Sequence, residues 1–341
     1  MSTPTLLGVP LKWISLITLI IQNSALVLVM RYSRTLSGPP YLPATAVVVS
    51  EFIKLFVCLL VHIHAESKAH RITTFKILND VFGPDSNWLQ MTVPALLYFI
   101  QNNLQYVAVT LLDAATFQVT YQFKIITTAL FSVLLLKRTL SSQKWFALVL
   151  LTAGIAIVQF PSGSVEKDIS SSDRFWGLLA VAAACLLSGL AGVWFEKVLK
   201  GTNKSLFLRN VQLSFFSAVP GLIFGVYIAN GKSVAENGFF YGYNKWTWAA
   251  ITCQAVGGLI VAVVVKYADN ILKGFATSLA IILSSLASVF IFDFQLSFLF
   301  CIGAIIVLYA THLYGLPDKP VRSLPDIPEV DDMDKSQLLP K

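Results

Sequence analysis

Ten stretches of mainly apolar residues run through this chain, each about long enough to cross 30 Å of hydrocarbon as a helix. They lie near 11–30, 43–63, 88–109, 114–136, 144–160, 175–195, 208–229, 246–265, 272–292 and 296–315, and the fifth is the shortest. The polar interruptions inside these stretches carry most of the functional information. In the fourth, AATFQVTYQFKIITTALFSVLLL, Lys124 stands close to the middle. A charge at bilayer centre costs about 2.5–3.5 kcal/mol on insertion scales, so Lys124 is expected to face a watery cavity or a partner. Thr116, Thr120, Lys124 and Thr128 recur every fourth residue, with Gln118 and Tyr121 beside them. That spacing predicts one polar helix face. Neutralisation of the lysine by a neighbouring helix is the alternative.

Other spans carry polar stripes of the same kind. Glu51 and Lys54 are three residues apart and can pair on one face of the second span. In the third, Tyr98, Asn102 and Gln105 share a face flanked by Gln101 and Asn103. The sixth holds Ser188, Gly189 and Gly192, a small-residue run that lets helices approach closely. Asn210, Ser214, Ser217 and Gly221 follow a stripe in the seventh, and Thr277, Ser284, Ser285 and Ser288 occur in the ninth. The eighth ends with Lys266 and Asp269–Asn270, and Lys273 follows a turn later. Any single hydroxyl or glycine here could equally serve helix packing.

Composition supports a polytopic membrane protein: 56% of the 341 residues are hydrophobic and 13% charged, with a mean hydropathy of +0.71. The second, fourth, sixth and eighth connections carry twelve Lys and Arg, and the other internal connections carry six. By the positive-inside rule both termini are expected in the cytosol. The net charge of +7 then reflects topology and a few buried cations, and no nucleic-acid partner is implied. All four cysteines fall inside spans, so no disulfide framework is expected. The sequon at Asn203 lies in a connection expected to be cytosolic, and the first span reads as a retained helix. The tail beyond 315 is polar and expected to be disordered, with a dileucine-like pattern at Leu338–Leu339.

Ten spans divide into two units of five, and an odd number of crossings forces such units to be inverted relative to one another. The expected architecture is an all-α membrane protein of ten transmembrane helices in two inverted five-helix repeats. Residues 1–10 form the N-terminus, 11–160 the first repeat, 161–174 a lumenal linker, 175–315 the second repeat and 316–341 the tail. Within it, Glu51 is expected to cancel Lys54, which leaves Lys124, Lys273 and Lys266 to meet an anion. Asn102, Asn103 and Asn210 offer paired donors and acceptors, and Tyr98, Phe117 and Tyr121 offer ring faces. A phosphate-bearing solute suits this set, as would other organic anions. No cofactor is expected. His62, His64 and His70 do not make a convincing metal site, and Gly231-Lys232-Ser233 lacks the glycine that a phosphate-binding loop requires.

The segments QNNLQYVA (101–108), AATFQVTYQFKIITTALFS (114–132), SGLAGVWFEKVLK (188–200), FFYGYN (239–244) and KYADNILKGFATSLAIILSS (266–285) resemble the Golgi nucleotide-sugar transporters of the drug/metabolite transporter superfamily. The resemblance runs from about residue 10 to 316 and is closest to the branch carrying UDP-galactose and UDP-N-acetylglucosamine. It implies a carrier rather than an enzyme, exchanging a lumen-bound UDP-sugar, UDP-galactose first, for UMP by alternating access. By position, Lys124 and Lys273 would contact phosphate, with Lys266 adding positive field. Tyr98, Asn102, Ser188 and Asn210 would line the nucleotide pocket, and Glu51 and Lys54 would be the buried ion pair of the second helix. Phe117 and Ser214 stand where the CMP-sialic acid branch typically has tyrosine. UDP-N-acetylglucosamine, CMP-sialic acid and proton-coupled export of a small metabolite are the alternatives, a non-transporting scaffold a further one. Expected partners are the UDP-sugar, UMP and the bilayer, with self-association or association with glycosyltransferases left open.

Overall fold

The computed structural model describes residues 5–6, 8–36, 38–67, 74–160, 170–202, 204–293 and 295–317. Asn203, His70, most of the 161–174 linker and the tail from 318 lie outside the described residues. Apart from a hairpin of two-residue strands at Thr5–Leu6 and Val9–Pro10, the fold is all-α. Its helices are α1 (Leu11–Thr35), α2 (Pro43–Ser67), α3 (Thr74–Phe82), α4 (Leu89–Leu111), α5 (Ala114–Tyr121), α6 (Lys124–Leu136) and α7 (Ser142–Val158). They continue with α8 (Ser171–Lys200), α9 (Leu206–Pro220), α10 (Ala229–Asn237), α11 (Lys245–Tyr267), α12 (Asn270–Phe292) and α13 (Phe298–Gly315).

Among the described residues, eight helical segments are long and apolar enough to cross a membrane, and α7 is an apolar helix of 17 residues. The 23-residue α4 is not among the eight, since Gln101, Asn102, Asn103 and Gln105 dilute its apolar character. Large apolar side chains such as Phe290, Phe298 and Ile305 point outward, as a surface solvated by lipid requires.

Two expected spans are not single α-helices. The fourth breaks at Gln122–Phe123 into α5 and α6, so the four-residue polar period is interrupted just before Lys124. The seventh passes from α9 through a π-helical stretch, Gly221–Ile228, into α10. Pro220 has no N–H to donate at that junction, and Asn230 Nδ2 bonds the Gly225 carbonyl at 2.7 Å, satisfying an acceptor in the widened turn.

Helix packing follows an exchange pattern. α1 lies against α11 and α12, while α8 lies against α4 and α6; α2 packs on α9, and α7 on α13. Small residues permit the closest approaches. Gly154 of α7 faces Gly303 of α13 so tightly that a Cβ at Gly303 would come within 2.7 Å of the Gly154 carbonyl oxygen. On α8, Gly189 lies under Thr127 of α6, and Gly192 under the Asn270 side chain of α12. These two glycines, one helical turn apart, bring the first turns of α6 and α12 against the same helix. Their close packing places Lys124 and Lys273 in one neighbourhood.

Candidate functional site

A cavity of about 590 Å³ opens between α5, α6, α8 and α12, and Lys124 and Lys273 both line it. Each belongs to the first or second turn of its helix, and two like charges lining one cavity repel. Neither has a carboxylate within salt-bridge distance among the described residues. Lys124 Nζ instead stands 4.2 Å from the centroid of the Tyr121 ring, a cation–π contact. Tyr121 stacks on Phe117, with centroids 5.6 Å apart and planes 10° from parallel. Its hydroxyl accepts a 2.9 Å hydrogen bond from Gln101 Nε2 on α4, and the Cys185 thiol of α8 donates to the Tyr121 carbonyl at 3.5 Å. The site thus joins two cations to an aromatic wall held from behind.

Of the residues expected from sequence, Lys124, Lys273, Phe117, Tyr121 and Ser188 meet in this cavity. Tyr98 is half-buried on α4 and outside the cavity lining. Asn102 and Asn103 are exposed on α4, Asn103 bonding back to the Phe99 carbonyl. Asn210 and Ser214 are buried on α9. Asn210 Nδ2 donates to the Leu206 carbonyl at 2.9 Å, whereas the Ser214 hydroxyl has no hydrogen-bond partner among the described residues. Lys266 is over the Tyr267 ring, outside the cavity lining. Glu51 and Lys54 form the anticipated ion pair at 2.8 Å, with the Lys54 chain against Gly258 of α11. The polar threonines serve the helices more than the cavity: Thr120 bonds the Thr116 carbonyl, and Thr127 bonds the Cys185 carbonyl of α8. Only Thr128 of that stripe joins Lys124 in the lining.

Sequence reading missed a charged cluster at the end of the bundle where α6, α8 and α11 finish and α12 begins. Glu196 is fully buried and accepts from Arg138 at 2.5 Å, from Lys200 at 2.7 Å and from the Asn270 N–H at 3.0 Å. Arg138 also pairs with Asp269 at 3.0 Å, the N-cap of α12. Burial alone would lower the Arg138 pKa, but the Asp269 and Glu196 charges reverse that and raise it. Glu196 thereby fixes the first turn of the helix that carries Lys273. A second cavity, of about 620 Å³, sits at the opposite end of α11, between the α1–α2 connection and the Ser233–Asn244 region. It is lined by no charged side chain, and it reflects loop packing around Gly242, whose Cβ would collide with the Pro39–Tyr41 backbone.

A family model described as nucleotide-sugar transporter matches residues 8–315. A UDP-N-acetylglucosamine transporter of Rattus norvegicus is 51% identical over 317 residues, covering 91% of this chain and 97% of its own. A UDP-galactose transporter of Schizosaccharomyces pombe is 52% identical over 320 residues, at 91% and 89% coverage. The UDP-galactose translocator of Mus musculus is 50% identical, at 92% and 80% coverage. A crystal structure with 14% sequence identity superimposes with a TM-score of 0.64 over 89% of this chain and 95% of the other, a likeness of fold alone.

Proposed function

The chain belongs to the nucleotide-sugar transporter family, a family of carriers and not of enzymes, and we propose that it exchanges a UDP-sugar for UMP across the Golgi membrane by alternating access. The observation that carries this reading is the pair Lys124 and Lys273, two cations with no carboxylate in salt-bridge distance among the described residues, lining one cavity between the halves of the chain. Burying such a pair is costly. A phosphate group between them supplies the missing charge through charge-assisted hydrogen bonds. The empty carrier is disfavoured from closing on two repelling lysines, and a bound nucleotide relieves that repulsion, which couples movement to occupancy.

The names of the relatives support a UDP-sugar. UDP-N-acetylglucosamine takes first place over the galactose derivative expected from sequence, because relatives of that name align over 97% of their length against 78–89% for the UDP-galactose carriers. The proposed nucleoside wall is the ring pair Phe117 and Tyr121 with Ser188 beside it; Tyr98 and Asn102 on α4 and Asn210 and Ser214 on α9, helices that pack together, lie outside the cavity lining. The proposed architecture is ten crossings in two inverted repeats. Matching α1, α2, α4, α5–α6 and α7 to α8, α9, α11, α12 and α13 turns the most extensive packing pairs into other observed pairs: α1 on α11 and α12 becomes α8 on α4 and α6, and α4 on α9 becomes α11 on α2. Both termini are assigned to the cytosol on the asymmetry of basic residues, which puts the Glu196 cluster on the cytosolic side.

The test is uptake of labelled UDP-N-acetylglucosamine or UDP-galactose into liposomes preloaded with UMP, CMP or nothing. Uptake that requires internal UMP is the expected result. Equal uptake into empty vesicles, or uptake following a pH gradient without counter-substrate, would overturn the exchange reading.

A further inference from the structure

Beside the aromatic pair, part of the cavity wall is built from amides. Successive residues on a helix diverge by about 100°, so Gln122 leaves its turn in a different direction from Tyr121. Tyr121 is held by α4 and α8. Gln122 meets Gln159, the residue that ends α7. Gln122 Nε2 donates to Gln159 Oε1 at 2.7 Å and to the Gln118 carbonyl at 3.1 Å. Gln118, Gln122 and Gln159 all line the same cavity as Lys124 and Lys273. Gln122 is otherwise buried, with 5% of its surface accessible.

The bonds made by this pair leave a specific remainder. Both hydrogens of Gln122 Nε2 are used, as is one lone-pair direction of Gln159 Oε1. No hydrogen bond among the described residues engages Gln122 Oε1 or Gln159 Nε2, which leaves one free acceptor and one amide with two hydrogens. An acceptor and a donor carried by one hydrogen-bonded amide pair match a hydroxyl, which offers both. Both residues line the cavity, so these free atoms are available to a ligand in it.

We propose that Gln122 and Gln159 form the subsite that reads the hydroxyl and acylamino groups of the transported hexose. This rests on the UDP-sugar reading above. With the phosphates held at Lys124 and Lys273, the ligand has one end for each wall. The planar base belongs on the ring faces of Phe117 and Tyr121, where stacking is favourable. The hexose then falls to the amide wall. A site built to hydrogen-bond a hydroxyl also discriminates between epimers, because the wrong epimer leaves buried polar groups unpaired.

The experiment is equilibrium binding of UMP, UDP-galactose and UDP-N-acetylglucosamine to the purified full-length protein and to its Gln159→Met and Gln122→Met variants. The expected result is about tenfold weaker binding of both UDP-sugars with UMP affinity kept within about twofold. A Gln159→Asn variant, which keeps the amide but shortens its reach, should change the preference between the two UDP-sugars by at least about threefold. UMP binding by each variant reports that it is folded. Equal weakening of UMP and UDP-sugars would overturn the proposal by placing the pair against the nucleotide, and unchanged UDP-sugar binding would overturn it outright. A wild-type protein that binds no uridine nucleotide would sink the transport reading and this subsite together, whereas normal wild-type binding with unresponsive variants would sink the subsite alone.

Discussion

Two groups of cations stand within this bundle, and they differ in what faces them. Arg138 and Lys200 share the buried carboxylate of Glu196, and Arg138 reaches Asp269 as well. Lys124 and Lys273 share a cavity with each other and with no acid. Glu51 and Lys54 repeat the first arrangement on a smaller scale. Charges with internal partners hold helix ends in place; charges without one are left with an interaction to make, and the geometry gives them space of nucleotide size in which to make it. The contrast separates cations that serve the fold from cations that serve the ligand without reference to where they occur in the sequence.

The sharpest way to break that comparison is Glu196→Gln. Removing one partner of a buried network leaves Arg138 and Lys200 undercompensated and should cost about 3–5 kcal/mol of stability, visible as a large fall in unfolding temperature in detergent. Lys124→Ala and Lys273→Ala should behave in the opposite sense. Each is expected to lower liposome exchange by about 10- to 100-fold, the loss of a hydrogen bond to a charged group at about 1.5–3 kcal/mol. The unliganded protein should be no less stable, because an uncompensated charge has been removed. A fall in stability like that of Glu196→Gln would erase the distinction. For the smaller pair, Lys54→Met should destabilise, and adding Glu51→Gln should recover most of the loss, since replacing both members of a buried pair is often close to neutral. Gln101→Leu removes the bond to the Tyr121 hydroxyl and should weaken UMP binding by about fivefold, roughly 1 kcal/mol, while leaving the Lys124-dependent exchange detectable.

The smallest effect concerns Asp113, which caps α5 by accepting from the Thr116 N–H at 2.8 Å. Its hydrogen bonds with Thr116, first the side chain and then the backbone, hold its pKa below the usual carboxylate value. A depressed folded-state pKa adds stability above the unfolded value, near pH 4, and that increment disappears as pH falls through the folded value. Asp113→Asn keeps a capping acceptor but cannot titrate. Its unfolding temperature should therefore lack the part of the acid loss that the cap contributes, an effect of at most about 1 kcal/mol.

What the sequence disclosed depended on how local each signal was. Lys124 stands out because its neighbours within one span are apolar, and Glu51 and Lys54 are legible as a pair because three residues separate them. Gly189 and Gly192 read correctly as a place of close helix approach. The break at Gln122–Phe123 left no trace, since neither proline nor glycine marks it. Glu196 with Arg138, and Gln122 with Gln159, were invisible because 58 and 37 residues separate the partners. The stripe on α9 was visible as a pattern, but periodicity alone could not distinguish Asn210, bonded to its own helix, from Ser214, which has no hydrogen-bond partner among the described residues.

The meeting of Gly154 with Gly303 bears on how the molecule can move. With backbone nearly touching backbone, and Val158 and Val307 filling the space on either side, α7 cannot roll or slide along α13 without forcing atoms through one another. The two helices must therefore travel as a single strut. Opening and closing of the cavity must then come from movement of other helices around this paired unit.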